Sequence, residues 1–319
     1  MTRYYVFNGD ADGLCALQQL RLVEADEGTL VTGVKRDIAL LDRVQAAKGD
    51  DVVVLDVSLD VNRTGLLAVL GAGAKVRYFD HHHAGEIPES ERLEAHIDTS
   101  ATVCTSLLVD GYLAGKHRAW AIAGAFGDSL TEVAAALADA QGLSSDASLR
   151  LKKLGVSLNY NAYGETVEDL HVAPAVLAEE MRGYADPLEF SNASETYHTL
   201  RAGYEDDMTK ARELAPAREV PGAIVYELPD LPWARRASGV FANEVARAHA
   251  TSAIAIVSVK SSGDYLVSLR VPTGATVGAD EFCRRFPSGG GRKTAAGINR
   301  LPSAELERFV EEFDRTFRV

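Results

Sequence analysis

The stretch Asp51-Val52-Val53-Val54-Leu55-Asp56 constrains the fold more than any other part of the chain. Its unbroken apolar run, rich in β-branched residues, favours an extended strand. A strand with no polar alternation has to be covered on both faces, which is the situation inside a parallel sheet flanked by helices. The surrounding sequence supplies the rest of such a sheet. Tyr4 to Phe7 is a short β-prone run, the turn-forming Asn8-Gly9-Asp10-Ala11-Asp12-Gly13 follows it, and apolar residues at helical spacing occupy Leu14 to Leu22. Thr29 to Val34 reads as a second strand, Ala39 to Ala47 as a second helix, Asn62 to Leu70 as a third, and Val76 to Phe79 as a strand closed by Asp80. Alternation of this kind predicts a doubly wound α/β sheet.

Ligands of doubly wound sheets bind beyond the carboxyl ends of the strands, and Asp10, Asp12, Asp56 and Asp80 all fall at such ends. A single Asp after a strand is ordinarily a turn residue or a helix cap. Four of them, joined by the tract His81-His82-His83, are better explained as one cluster. Carboxylate and imidazole together suit Mn, Fe and Zn. The competing reading of the histidines is a solvated loop, which is kept for His83.

Further along, Thr102 to Ala114 and Arg118 to Phe126 read as helices, the second ending in Gly127-Asp128, and a charged helix runs from Ser194 to about Leu214. Residues 1–190 are assigned to a catalytic, metal-binding domain, 191–215 to a helical linker and 216–319 to a smaller mixed α/β domain. The last contains Ser268-Leu269-Arg270 at a strand end and Gly289-Gly290-Gly291-Arg292 in a glycine-rich loop.

The 319 residues carry a formal net charge of −13. That balance argues against sequence-independent binding of long nucleic acid, which depends on clustered Lys and Arg. It allows a small phosphorylated substrate gripped by local cations. The three cysteines, Cys15, Cys104 and Cys283, are isolated, so no disulfide framework is expected, and no apolar run is long enough to span a bilayer. A cytoplasmic location without membrane attachment is expected.

Asp10, Asp12, Asp56, His81 and Asp128 offer enough donors for two ions with one carboxylate shared. Two ions would grip a phosphate and lower the pKa of a bridging water. His82 could then contact the phosphate or protonate the leaving oxygen. Mn2+ is preferred, with Mg2+ or Co2+ as substitutes, because a mostly carboxylate set is harder than a typical Zn set. Gly289, Gly290 and Gly291 would let backbone N–H groups approach an anion, with Arg292 beside them and Arg270 as a bidentate partner.

These residues resemble the DHH superfamily of phosphoesterases, in the form with a DHH-associated C-terminal domain. The resemblance rests on Asn8-Gly-Asp10-Ala-Asp12-Gly13, Asp56, Asp80-His81-His82 and Gly127-Asp128. In the second domain it rests on Ser268-Leu-Arg270 and on Gly289-Gly290-Gly291-Arg292 through Ala296-Gly297. It implies an active site in the interdomain cleft. Asp10 and Asp56 would hold one Mn2+, and Asp12, Asp56, His81 and Asp128 the other. Asp80 would orient its neighbours, His82 would face the phosphate, and Arg270 with the glycine motif would hold the far end of the substrate. Asn8 stands at a ligand position where many relatives have His, and Arg292 where the glycine motif commonly continues with His.

Among the activities of that superfamily, hydrolysis of a dinucleotide such as pGpG, or of a very short oligonucleotide, to mononucleotides is favoured, because length and charge oppose a long polyanion. A pAp phosphatase or inorganic pyrophosphatase is the alternative, and a non-catalytic nucleotide-binding module is a third reading. A homodimer is compatible with all three.

Overall fold

The computed structural model describes residues 1–24 and 27–319, which divide into two compact units, Met1–Ala202 and Gly203–Val319. In the first unit β1 (Arg3–Phe7), α1 (Ala11–Glu24), β2 (Thr29–Val31), β3 (Asp51–Leu55), α2 (Leu59–Gly71), β4 (Lys75–Asp80) and β5 (Leu93–Ile97) follow in order. The helices α3 (Thr105–Tyr112), α4 (Arg118–Gly127), α5 (Thr131–Ala140), α6 (Ser145–Asn161), α7 (Pro174–Met181) and α8 (Pro187–Ala193) come next. α9 (Glu195–Arg212) runs from this unit into the following one.

The five strands pair in the order β2-β1-β3-β4-β5, every pair parallel. Side chains alternate as the pleat requires. Tyr5, Phe7, Val53, Leu55 and Phe79 pack with residues of α1, α3, α4 and α6. Val6, Val52, Val54, Val76 and Tyr78 pack with Leu66, Val69 and Leu70 of α2. Val52, Val53, Val54 and Leu55 are fully buried. Each contributes roughly 1.5–3 kcal/mol through burial, so both layers bear on β3. The sheet is therefore doubly wound, as expected.

The order also places a topological switch point between β1 and β3, where chain direction across the sheet reverses and a crevice opens at the carboxyl ends. Asp10 and Asp12 follow β1 and Asp56 follows β3, so both rims of that crevice are acidic.

The helix predicted over Ala39 to Ala47 is not formed; only Leu41–Arg43 makes a 3-10 turn. Asn62 explains the difference. Its Oδ1 accepts from Leu41 N at 3.0 Å and its Nδ2 donates to Ile38 O at 2.6 Å, which ties the segment to α2 as an ordered loop. The second strand is also shorter than predicted, ending at Val31.

In the second unit β6 (Arg218–Val220), β7 (Ala223–Leu228), α10 (Pro232–Ala248), β8 (Ala253–Val259), β9 (Tyr265–Arg270), α11 (Ala279–Cys283), β10 (Gly289–Gly291), β11 (Ala295–Leu301) and α12 (Leu306–Phe317) build a mixed sheet. Its order is β10-β11-β9-β8-β7-β6, with β7 and β8 parallel and the remaining pairs antiparallel. Phe282, Phe309 and Phe313 are buried at its centre. Cys15, Cys104 and Cys283 are buried free thiols. Among the described residues no helix is long and apolar enough to cross a membrane.

Candidate metal centre

Four separate loops and helix ends deliver the first unit's polar side chains to the crevice. Asp10 lies in the turn between β1 and α1, and Asp12 in the first turn of α1. The turn closes tightly, because a Cβ on Gly13 would sit 2.1 Å from Asn8 O. Asp12 is then clamped: its Oδ2 accepts from Thr105 N and its Oδ1 from Ser106 N, each at 2.7 Å. These donors belong to the first turn of α3, where unsatisfied N–H groups favour an anion.

Asp56 has φ of 60°, a left-handed conformation that Asp tolerates better than most residues. Its backbone N–H still donates to Phe79 O at 3.0 Å, so the turn off β3 stays attached to β4. Its Oδ1 accepts from Thr105 Oγ1 at 3.2 Å. Burial raises the Asp56 carboxyl well above its ordinary range, and the nearby Asp12, Asp10 and Asp128 raise it further. Asp128 caps the carboxyl end of α4; burial, then Asp12, push it up to about 6. Several acids are thus packed where like charge opposes their ionisation, an arrangement a bound cation relieves.

His81 completes the set. Its Nδ1 lies 3.0 Å from Val103 O, an acceptor only, so Nδ1 carries the proton and Nε2 keeps its lone pair. Nε2 faces Asp56 Oδ1 at 3.4 Å, Asp128 Oδ2 at 3.9 Å and Asp12 Oδ2 at 4.0 Å. Ligands held about 2.1 Å from one ion stand roughly 3.0–4.2 Å apart, according to whether they are adjacent or opposite. Asp12, His81 and Asp128 form one donor set close enough to share a cation and Asp56, His81 and His82 another, both drawing on the same imidazole, and such carboxylate–imidazole sets suit a divalent ion such as Mn2+.

Asp80, fully buried, bonds His82 Nδ1 through Oδ1 at 2.7 Å. Burial works against the His82 imidazolium, but the Asp80 carboxylate outweighs it and the pKa rises. The His82 side chain is 45% exposed, so it can be reached from outside the crevice while its Nδ1 stays anchored. His83 is exposed, and its carbonyl accepts from Ser58 Oγ at 3.2 Å.

Asp10 and Asn8 behave differently from the other predicted ligands. Asp10 Oδ1 accepts from Asp12 N at 3.0 Å and Gly13 N at 3.2 Å, and its Oδ2 takes the ammonium of Lys35. Asn8 Nδ2 donates to Lys35 O at 3.3 Å. Burial opposes the Lys35 charge, yet Asp10 raises its pKa well above the usual value. Lys35 was not anticipated. It lies in a loop with no motif of its own, held by backbone contacts to Ala162 and Asn8, from which its side chain reaches Asp10.

The predicted glycine loop of the second unit is not a loop. Gly289–Gly291 form the edge strand β10, paired with Ile298, Gly297 and Ala296. The register Ala295↔Arg270 places the end of β9 beside the start of β11, and Arg292 N donates to Ala295 O at 2.8 Å. Arg270 and the glycine strand therefore lie at one end of the same sheet. Arg270 Nε donates to Asn243 Oδ1 at 2.7 Å, which orients the guanidinium. Arg292 is exposed.

No family model and no curated protein matches the sequence. Solved structures do. RecJ from Thermus thermophilus in complex with Mn2+ superposes at a TM-score of 0.65, with 18% identity over 98% of this chain and 51% of that one. An exonuclease RecJ bound to manganese gives 0.61 and 18%, covering 98% and 89%. The pGpG-specific phosphodiesterase PggH from Vibrio cholerae gives 0.54 and 14%, covering 98% and 97%. The chain spans about half the length (51%) of the Thermus RecJ. At such identities the likeness establishes the fold alone, one shared with the two RecJ proteins and PggH.

Proposed function

We propose that the chain is a divalent-metal-dependent phosphodiesterase that hydrolyses dinucleotides such as pGpG, or very short oligonucleotides, to mononucleotides. The observation that carries this reading is the pair of cation-sized donor sets that share His81, one with Asp12 and Asp128 and one with Asp56 and His82, with Asp80 bonded to His82. The pGpG-specific activity of PggH and the manganese bound by both RecJ proteins support the choice of substrate class and of Mn2+. The net charge of −13 supports a short substrate over a long one.

Asp12, His81 and Asp128 would hold the ion, His81 through Nε2, with Asp56 facing the same nitrogen. When bound, the ion polarises a phosphoryl oxygen and lowers the pKa of a water. Val103 O fixes the His81 tautomer, and the Thr105 and Ser106 amides fix Asp12, so the ligands reach the ion in place. Asp80 fixes His82 by Nδ1 and leaves Nε2 to face the substrate. The Asp80 carboxylate favours the His82 imidazolium, which would pass a proton to the leaving oxygen as the P–O bond breaks. In the second unit, Arg270 and Arg292, near the glycine strand, are candidate partners for a phosphate.

Turnover of pGpG, a longer single-stranded RNA, pAp and pyrophosphate, each with Mn2+ and with product sizes resolved, tests the proposal. Mononucleotide release fastest from pGpG is expected. Preference for pAp or pyrophosphate would replace the substrate assignment, and binding of all four without turnover would replace catalysis by nucleotide binding.

A further inference from the structure

Asp10 belongs to neither cation-sized donor set. Among the described residues, the sets of ligand atoms close enough to share one ion are Asp56, His81 and His82, and Asp12, His81 and Asp128. Asp10 stands beside them against Asp56, where the two-ion expectation placed an additional metal. That position already has a cation. The Lys35 ammonium bonds Asp10 Oδ2, lies 2.9 Å from Asn159 Oδ1 and sits 5.6 Å from the centre of the Tyr163 ring, a cation–π distance.

The backbone holds Lys35 there independently of its charge. Lys35 N donates to Ala162 O at 2.9 Å, and Lys35 O accepts from Asn8 Nδ2. Asn8 is 5% exposed, and its Oδ1 has no hydrogen-bond partner among the described residues. The amide therefore acts as a tether for the lysine loop. A metal at Asp10 would have to displace the ammonium from both oxygen partners and from the aromatic face. In exchange it would gain one neutral amide oxygen.

We propose that Lys35 takes the place of the second metal ion, so that the site binds one divalent cation and carries a built-in ammonium as its fixed partner charge. The inference rests on the phosphodiesterase reading for the single ion and changes the number of ions that reading needs. The ammonium adds permanent positive charge beside the reacting phosphate without depending on metal supply.

Metal stoichiometry tests this without substrate. The intact protein is equilibrated with excess Mn2+, dialysed against a fixed free concentration, and its metal content and electron paramagnetic resonance spectrum are measured. One Mn2+ per chain with the six-line spectrum of an isolated ion is expected. The Asn8→His/Lys35→Ala double variant should take up a second Mn2+, and its spectrum should become that of a spin-coupled pair. Lys35→Arg, which keeps the charge, should stay at one. Two coupled ions in the unaltered protein would overturn the inference while leaving the phosphodiesterase reading intact. No bound Mn2+ in the unaltered protein would overturn both. If the double variant unfolds, as circular dichroism would show, the stoichiometry of the unaltered protein and of Lys35→Arg still decides.

Discussion

The acidic crevice of the first unit and the glycine edge of the second were predicted with the same reasoning, yet folding accounts for them unequally. At the crevice, Asp56 and Asp128 have raised pKa values because burial and neighbouring acids oppose their charge, so the folded chain alone leaves a cost standing. At the glycine edge, packing explains most of the composition. A Cβ on Gly289 would lie 1.8 Å from Cys283 O, and Gly291 has φ of 140° and would meet Ala296 Cα at 2.5 Å. Gly290 alone has nothing within 4 Å of its missing Cβ. Uncompensated charge is thus a stronger sign of a ligand than an accumulation of glycine, and within the triplet the sign narrows to one position.

The sharpest way to break this comparison is Asp56→Ala. It should lower turnover by several kcal/mol, roughly 10³-fold, and deplete bound metal. Unchanged turnover of pGpG together with full metal content would remove the crevice from the reaction. His82→Ala should cost about 10²-fold in kcat with metal retained. The loss should shrink for a p-nitrophenyl phosphodiester, whose leaving oxygen needs no proton. Equal losses on both substrates would deny His82 its role as an acid.

Asp128→Asn tests the charge cost itself. A carboxyl raised to about 6 keeps its proton in the folded chain over a range, from 3.8 to about 6, in which the unfolded chain has released it. Its contribution to stability therefore declines as pH rises through that window and is fully adverse above it. Metal-free Asp128→Asn should be more stable than the parent above that window, by on the order of 2 kcal/mol, with the advantage vanishing below it. Thermal melts at both ends of the window, with chelator, measure this; a pH-independent difference would contradict the crowding explanation.

The smallest expected effects sharpen the other side. Gly289→Ala should destabilise by roughly 1–3 kcal/mol through overpacking, whereas Gly290→Ala should change stability by less than about 0.5 kcal/mol. A raised KM for pGpG in Gly290→Ala, with its melting temperature unchanged, would mark that position as one kept open for substrate.

Strand ends were the most legible part of the chain. The run from Val52 to Leu55 required cover on both faces, and that single requirement led to the parallel sheet and to acids converging beyond it. The segment around Leu41 has helical apolar spacing, but the side chain of Asn62 satisfies its backbone from another element and keeps it a loop. Lys35 could not be found because a flexible four-carbon stem leaves no periodicity, and its partners Asp10 and Asn159 lie far along the chain. The composition of the glycine triplet suits a loop, although an edge strand tolerates the same residues when close packing excludes side chains.

The four proposed ligands come from α1, the turn after β3, the end of β4 and the end of α4. Any piece of the first unit that holds them all must include everything from α1 to the end of α4. Manganese uptake would therefore report assembly of the parallel sheet with its helices through α4, and chelation would loosen that part, with resistance to proteolysis rising with free metal concentration.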